Sequence, residues 1–433
     1  MEARHIFSLL TVFLFLLYFF KNRCTKRSYL LFVLYFLPFV DLSVTTEKMG
    51  SFTVFDAISY FSFFFLIQDF AFSSKRIRTY FFLFWLFLVV LLIGALRSEF
   101  IVNSLINIIK FVSIFIYANL LIAEYYNDPT FTVSVVKGLK FAALVSVPFL
   151  VVQMVAGLDL LSFYPYLNQN ILDSNVVRYP SFFQDPQMYS QFLAISCFLF
   201  LIRADNKSPK PQYLNYFFFL VLVFAIFLSG GRSGFLGLCF GLCIVFIAGQ
   251  NQTRFFIITC VLIGGLVAIY LPNHFSIFSR EEGYDEAYEV RHRIWKEAYN
   301  VFRISPYWGI GSGNYNKYIQ LHSLSGYYVI NGEIVYYGTE NGYLRTLAES
   351  GVIGFIASFL FILVPVASAV KARIKRINNN NIYYLIAGIL CWMTASNTLY
   401  TLSDKRTLVL LASLICLLIT SVTKIEIANV KEQ

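Results

Sequence analysis

Long apolar runs, separated by short polar breaks, occupy most of the sequence. A helix that crosses a bilayer needs about 20 apolar residues, within a range of roughly 17–25. Thirteen runs meet or approach this length, and they lie near residues 5–20, 29–46, 51–72, 79–96, 100–124, 132–157, 188–202, 212–230, 233–249, 254–271, 351–370, 382–400 and 406–423. The runs are continuous and lack the two-residue alternation of a membrane β-barrel. The pattern therefore predicts an all-α, polytopic transmembrane helical bundle of about 12–13 spans.

Two polar stretches interrupt this pattern, a loop over about 158–187 and a much longer one over 272–350. The chain thus divides into spans one to ten over 1–271, the large loop over 272–350, and the last spans with a tail over 351–433. Long ordered loops on a rigid scaffold are usually functional.

Helical spacing predicts a helix over 284–303 in the large loop, ended by Ser305-Pro306. The apolar face of this helix is predicted to carry Trp295, Ala298, Tyr299 and Phe302. Glycines follow at 309, 311 and 313. They predict a tight turn packed on the membrane domain, because no strand and no Lys-Ser or Lys-Thr pair accompanies them, as a nucleotide loop requires.

Composition narrows the class of protein further. Hydrophobic residues make up 58% and charged residues 13% of the chain, whereas soluble domains carry roughly 25% charged residues. A soluble enzyme is therefore excluded, and a membrane protein is predicted. The sequence shows no Asp-x-Asp pair and no histidine cluster, so neither a metal nor another cofactor is expected.

The formal net charge of +10 would suggest a nucleic-acid partner in a soluble protein. Here the basic residues occupy short breaks between spans, as the positive-inside rule describes, so no nucleic acid is expected. These breaks and the C-terminus are predicted to be cytoplasmic, which places both long loops and, with thirteen spans, the N-terminus outside. The clusters are Lys21, Arg23, Lys26 and Arg27; Lys75, Arg76 and Arg78; Arg203, Lys207 and Lys210; and Lys371, Arg373, Lys375 and Arg376.

Several arginines on the outer side are candidates for binding an anion. Arg232 lies in a tight break between two spans, flanked by Gly and Ser residues that would let a headgroup approach. It marks either a snorkelling side chain or a phosphate site, which a planar guanidinium suits. Arg178 is the strong base of the first long loop. Arg291 and Arg293 are two residues apart on the predicted helix, so only one of them is expected to face a site.

Glu340 is the candidate general base, because it lies directly before the eleventh span and so near the membrane plane. Asn341 and Tyr343 follow it, and His322 is the alternative acid or base. The large loop is rich in tyrosine, and these rings either stack on sugars or pack at the membrane interface. They are Tyr315, Tyr318, Tyr327, Tyr328, Tyr336, Tyr337 and Tyr343.

These motifs together resemble the bacterial O-antigen polymerase and O-antigen ligase superfamily, in its polymerase branch. Glu340-Asn341 is followed by nine residues and then by Gly351-Val352-Ile353-Gly354, which matches the spacing of the ligase signature except that Glu340 replaces its histidine. Three further stretches resemble family motifs in the same order, and they are Arg178–Pro186, Ser229–Gly237 and the run from Arg291 to Asn314.

The resemblance implies a metal-independent, inverting glycosyltransferase in the bacterial inner membrane, with its active site facing the periplasm. Its substrate would be an oligosaccharide linked to undecaprenyl diphosphate, and its product a lengthened surface polysaccharide. By position, Arg232 and Arg291 would hold the diphosphate and Glu340 would activate the acceptor hydroxyl. The expected substrate-binding residues are Arg178, Arg293, Asn341, Tyr343 and His322. Membrane lipid and a polysaccharide chain-length regulator are the other expected partners.

Two alternatives stay open at this point. One is the O-antigen ligase, which moves the glycan onto the lipid A core; the glutamate at 340 argues against it. The other is a transporter or flippase of lipid-linked saccharide, which predicts internal repeats or broken helices with charges at mid-membrane. The charges within predicted spans are Asp56, Lys110, Lys137 and Lys140.

Overall fold

A computed structural model describes residues 3–44, 52–69, 75–158, 172–173, 176–202, 212–270, 284–322, 327–330, 333–336, 338–374 and 381–431. The two long loops are therefore described in part, and Arg203, Lys207, Lys210, Lys375, Arg376 and Tyr337 lie outside the described residues. Two short antiparallel hairpins, β1–β2 (Leu172–Asp173 and Val176–Val177) and β3–β4 (Tyr327–Ile330 and Glu333–Tyr336), are the strands of this part of the chain.

Helices make up the rest of the regular structure in the described residues. They are α1 (Ala3–Lys21), α2 (Lys26–Tyr35), α3 (Val54–Leu66), α4 (Lys75–Leu96), α5 (Ile101–Asn127), α6 (Phe131–Ala156), α7 (Pro186–Leu201), α8 (Tyr213–Ser229), α9 (Arg232–Ala248), α10 (Asn251–Tyr270), α11 (Tyr284–Ile304), α12 (Tyr315–Leu321), α13 (Gly342–Ile374), α14 (Asn381–Ala395) and α15 (Lys405–Lys431).

Every predicted apolar run falls on a helix, and the prediction of an all-α, polytopic membrane protein is confirmed. Six helices of the described chain are long and apolar enough to cross a bilayer, namely α1, α4, α5, α6, α13 and α15. Three others, α8, α9 and α14, are apolar but shorter. The second predicted run is broken: α2 has 10 residues and is followed by a 3-10 turn over Leu37–Phe39 that contains Pro38. The count of 12–13 spans stays a prediction.

The interior of the bundle lies around α7 and α15. Every residue of α7 from Tyr189 onward is buried, and α7 packs against α8, α9 and α14. Large apolar side chains are instead exposed on α1, α4, α8 and α9, among them Phe13, Phe82, Phe217 and Phe240. An apolar surface is unfavourable in water and favourable in a hydrocarbon solvent, so these faces fit contact with lipid.

The loops sort to the two ends of the bundle. At one end, here named the loop end, Ser98 Oγ donates to Ile310 O at 2.6 Å and the Gly342 amide donates to Ser396 O at 2.8 Å. The other end holds an ion cluster of Lys26, Arg27, Asp69, Glu124 and Asp128. This sorting fits the alternation of outer and inner breaks that the sequence predicts, while the side of the membrane stays a prediction.

Gly351 divides α13 into a short segment at the loop end and a long membrane helix. Its φ of 65° and ψ of −174° lie where only glycine is comfortable. A Cβ at this position would lie 2.3 Å from the carbonyl of Tyr307. The adjacent Val352 amide donates to Pro306 O at 2.8 Å. The first glycine of the family spacing therefore lets the chain after α11 pack directly against the bend.

Substitution Gly351→Ala is expected to destabilise the protein by roughly 1–3 kcal/mol from backbone strain alone, with the clash against Tyr307 adding to it. The thermal unfolding temperature of the purified protein in detergent should fall, together with its amount in the membrane. Gly338→Ala is the matched control, because no atom lies within 4 Å of the Cβ that it adds. Equal stability of the two variants would contradict this account of the bend.

Candidate active site

Helix α11 supplies one wall of the candidate site. Its buried residues are Ile294, Ala298 and Val301, and this face packs on α13. The predicted bounds 284–303 agree with the observed helix, but the predicted apolar face was partly wrong: Trp295 is 36% exposed and Tyr299 is 53% exposed. Both rings lie on a stripe of the helix next to the buried one. Because the residues of both stripes are largely apolar, the sequence pattern does not separate them.

Arg291 and Glu340 form an ion pair across the large loop, with Arg291 Nε 3.2 Å from Glu340 Oε2. The two side chains are 47% and 38% exposed, so a ligand can reach them. Arg293 is exposed, and with 3.6 residues per turn it points about 200° away from Arg291 around the helix axis. Of the two predicted arginines, Arg291 is therefore the one that lies with Glu340.

The start of α13 fixes Glu340. Its φ of 45° is left-handed, which is uncommon for a non-glycine residue. The Asn341 side-chain oxygen accepts from the amides of Tyr343 at 3.0 Å and Leu344 at 3.1 Å, as a helix cap does. The Tyr343 hydroxyl donates to Met393 O. Two of the predicted substrate-binding residues thus hold the helix end that presents Glu340.

Arg232 begins α9 at the same end of the bundle. Its neighbour Ser233 accepts from Gln191 Nε2 at 3.2 Å, and the same nitrogen donates to Ala395 O at 3.1 Å. Since the Gly342 amide binds Ser396 O, the starts of α9 and α13 both meet the C-terminal end of α14. Arg232 and Glu340 therefore share one neighbourhood, although no contact joins them directly in the described structure.

Two glycines beside Arg232, Gly231 and Gly234, serve helix packing, while the approach of a headgroup to Arg232 stays a prediction. A Cβ at Gly231 would lie 2.0 Å from Ser190 Oγ, and one at Gly234 would lie 2.4 Å from the Ser190 backbone. Both glycines thus let α9 approach α7 closely. The sequence shows that these residues are small, but only the fold shows which neighbour needs the space.

Arg178 lies in the segment that leads into α7. It is 4% exposed and is therefore a buried residue. Asp185 caps α7 by accepting from the Gln187 amide at 2.6 Å. Pro186 O lies next to the Gly231 position, so this segment also borders the start of α9.

The glycine-rich turn after α11 packs on the membrane domain, as predicted. Gly309, Gly311 and Gly313 all have positive φ. Asn314 donates to the hydroxyls of Ser98 at 2.6 Å and Ser104 at 2.8 Å. These contacts anchor the large loop to the turn between α4 and α5.

His322 lies on this anchored part of the loop and pairs with Glu99 at 3.3 Å. Its ring also lies over Tyr318, with 4.2 Å between centroids. Burial raises the pKa of the Tyr318 hydroxyl, and the Glu99 carboxylate adds to the rise. Burial likewise raises the pKa of Tyr315. Both phenols therefore stay neutral near pH 7, and neither is suited to act as a base.

Glu349 is a buried carboxylate that the sequence did not single out. It is 2% exposed and accepts from the Gly313 amide at 2.8 Å and from Arg345 Nε at 3.0 Å. It therefore joins the glycine-rich turn to the segment that carries Glu340. The signal in the sequence was the position of Glu349, nine residues after Glu340 and on the same short segment before Gly351.

A second group that the sequence did not single out lies at the start of α15. Asp404, Lys405 and Arg406 are each at most 2% exposed. Lys405 Nζ lies 2.7 Å from Asp56 Oδ1, and Arg406 pairs with Asp404 and Asp41. The signal in the sequence was the charged run Ser-Asp-Lys-Arg between two apolar segments. An ordinary solvated break between two spans has the same composition, so the run does not indicate burial.

Chemically, the loop end combines two arginines, an exposed carboxylate and the start of α9. The amides of the first turn of a helix carry a partial positive charge. Together with Arg232 they favour an anion at the membrane boundary. The carboxylate of Glu340 can accept a proton. The loop end of this multi-pass membrane protein thus brings together a candidate anion site and an adjacent candidate base.

A family model described as O-Antigen ligase matches residues 217–359, a stretch that contains Arg232, Arg291 and Glu340. The match confirms the resemblance to the O-antigen ligase and polymerase superfamily that the motifs indicate. The family is one of glycosyltransferase-like enzymes that handle lipid-linked polysaccharide.

A relative supports no finer assignment. The chain is 24% identical over 216 residues to an uncharacterized protein of Haemophilus influenzae, and the match covers 45% of this chain and 53% of that protein. The chain thus spans about half the length of that relative.

Proposed function

We propose that the protein is a surface-polysaccharide polymerase. It transfers a growing glycan from undecaprenyl diphosphate to a lipid-linked repeat unit at the periplasmic face of the bacterial inner membrane. The observation that carries the proposal is the Arg291–Glu340 pair at the start of α13. It lies within the matched region, where the ligase signature has a histidine in place of Glu340.

The exposed ion pair is suited to exchange partners when the donor binds. Exposed pairs contribute on the order of 0–1 kcal/mol, so the more highly charged diphosphate competes well for Arg291. Arginine binds phosphate oxygens in a bidentate manner. Arg232 and the start of α9 add positive charge at the same end of the bundle. Donor binding would therefore release the Glu340 carboxylate next to the reacting centre.

The released carboxylate then takes the proton of the acceptor hydroxyl. The hydroxyl oxygen forms a bond to the anomeric carbon of the donor, and the bond from that carbon to the diphosphate oxygen breaks. The bonding electrons pass to the leaving diphosphate, whose charge the arginines stabilise. One displacement inverts the anomeric configuration. Glu340 returns its proton to water, which completes the cycle without a metal ion.

Glu340 favours the polymerase over the ligase, because the ligase signature requires histidine at this position. The ligase remains the second candidate, because the matching family model carries that description. The transporter alternative loses the support of one of the four charges within the predicted spans. Asp56 caps α3 and pairs with Lys405 near the loop end, so this carboxylate already has a buried cation as its partner.

The glycan ladder on lipopolysaccharide from a strain deleted for this gene tests the proposal. A single repeat unit attached to the core is expected, because polymerisation would be lost while ligation continues. Plasmid-borne wild-type protein should restore the ladder. Core without any repeat, together with long lipid-linked chains, would instead identify a ligase and contradict the polymerase assignment.

A further inference from the structure

Arg406 joins the start of α15 to the segment that carries Arg178. Its Nη1 donates to Phe182 O at 2.6 Å, and its guanidinium lies 3.9 Å from the centroid of the Phe183 ring. Its Nη2 lies 2.5 Å from Asp404 Oδ2 and 3.2 Å from Asp41 Oδ2. The side chain is 1% exposed. One planar group thus contacts two carboxylates, one carbonyl and one ring.

The same segment is held from its other side by α6. The Ser181 amide donates to Gln153 Oε1 at 2.8 Å, and Gln153 Nε2 donates to Ser181 O at 2.9 Å. The Ser181 hydroxyl donates to Ser146 O at 2.7 Å. Ser181 has a φ of 54°, a conformation that costs energy in a residue with a side chain and persists only when its surroundings impose it.

Arg178 is three residues before this fixed point. Pro180, which has a restricted φ, is one of the two residues between them. Arg178 is itself 4% exposed. The position of the backbone at Arg178 therefore depends on the positions of Ser181 and Phe182. Those positions depend in turn on the contacts with Arg406 and Gln153.

Stability alone is a weak reason for such an arrangement. Well-packed apolar residues of similar volume often stabilise a protein as much as a buried ion pair does. What apolar residues cannot provide is a directed bond to the Phe182 carbonyl. The directional contacts of Arg406 therefore fix the geometry of this segment, in addition to any stability that they contribute.

We infer that Arg406 is a positioning residue that holds Arg178 where it can bind the diphosphate of the donor. The inference rests on the proposed function and adds to it a residue outside the matched family region, which ends at residue 359. Arg406 itself is 1% exposed, so it acts on the substrate through the segment and not by direct contact.

Arg406→Lys tests the inference in purified protein with a lipid-linked donor. Lysine keeps the positive charge beside Asp41 and Asp404, but it cannot stack on Phe183 as a planar group and cannot reach the carbonyl and both carboxylates at once. The KM for the donor is expected to rise about tenfold, the effect of losing a buried hydrogen bond to a charged group, while kcat changes little. Tyr117→Phe is the matched control, because it removes a buried bond to Ser413 of the same helix.

A double-mutant cycle separates positioning from general destabilisation. If Arg406 acts through Arg178, the double variant Arg178→Ala/Arg406→Lys should be no worse than Arg178→Ala. Losses that multiply would overturn the inference. Phe183→Leu offers a second route should Arg406→Lys fail to fold, because it removes the ring under the guanidinium and keeps both ion pairs.

Hydrogen–deuterium exchange provides a readout that does not depend on activity. The amides of Ser181 and Phe183 are bonded in the structure, and their exchange should accelerate in Arg406→Lys but not in Tyr117→Phe. Unchanged exchange, or faster exchange with an unchanged KM, would overturn the inference. A wild-type protein without transfer activity would contradict the proposed function, while the exchange result would still show whether Arg406 holds the segment.

Discussion

Replacing Glu340 with glutamine is expected to lower the rate of glycan transfer by about 10²–10⁴-fold, the usual contribution of a positioned base. Glutamine has nearly the same shape, so the Asn341 cap and the Gly342–Ser396 bond should persist. The lost ion pair is exposed and contributes on the order of 0–1 kcal/mol, so the protein should still accumulate. Transfer is measured with purified protein and a synthetic lipid-linked repeat unit, and accumulation by immunoblot of membranes.

Glu99→Gln is the control for this experiment. Glu99 is also an exposed carboxylate in an ion pair, but its partner is His322 and not Arg291. Its loss should leave transfer close to the wild-type rate. Full activity of the Glu340 variant, combined with a loss in His322→Ala, would move the role of base to His322.

Replacing either Arg232 or Arg291 with alanine should lower transfer by about 10²–10³-fold, the scale reported for one group that stabilises developing charge. Both variants should remain in the membrane, since Arg291 lies on an exposed face and Arg232 begins a helix whose close packing depends on its glycines. The measurement is the length distribution of polysaccharide in a complemented deletion strain, supported by transfer rates in vitro.

Arg293→Ala is the matched control within the same helix. It removes the same charge from α11, but from a position about 200° around the axis and without a contact to Glu340. Polymer should be normal in this variant. Unchanged polymer in the Arg232 or Arg291 variant would exclude that arginine from the mechanism.

The helices were predictable because a continuous apolar run in a membrane must hydrogen-bond its backbone groups internally, which an α-helix does. The turn at Gly309–Gly313 was predictable for a similar reason, since three glycines in five residues favour positive φ. The buried face of α11 was predicted only in part. Tyrosine and tryptophan count as apolar in a helical pattern, although Tyr299 and Trp295 have polar tips that can face a wet interface.

The candidate site was predictable where its residues are close in sequence and hidden where they are far apart. Glu340, Asn341 and Gly351 form one local motif, so the resemblance to the family signature identified them. Two of the partners of Arg406, Asp41 and Phe182, are 365 and 224 residues away in the sequence. Contacts between residues so far apart leave no periodic pattern in the sequence. Hydropathy and charge counts also do not distinguish a buried arginine from one in a solvated break between spans.

The buried position of α15 has a consequence for biogenesis. Within Lys405–Val422, 94% of the residues are buried, yet this helix follows every other described helix in the chain. Asp41 and Asp56 are made long before Lys405 and Arg406, so during synthesis the early helices enter the membrane without these two ion-pair partners. Helix α15 must therefore enter a space that the earlier helices have left open, and its arrival supplies Lys405 to Asp56 and Arg406 to Asp41.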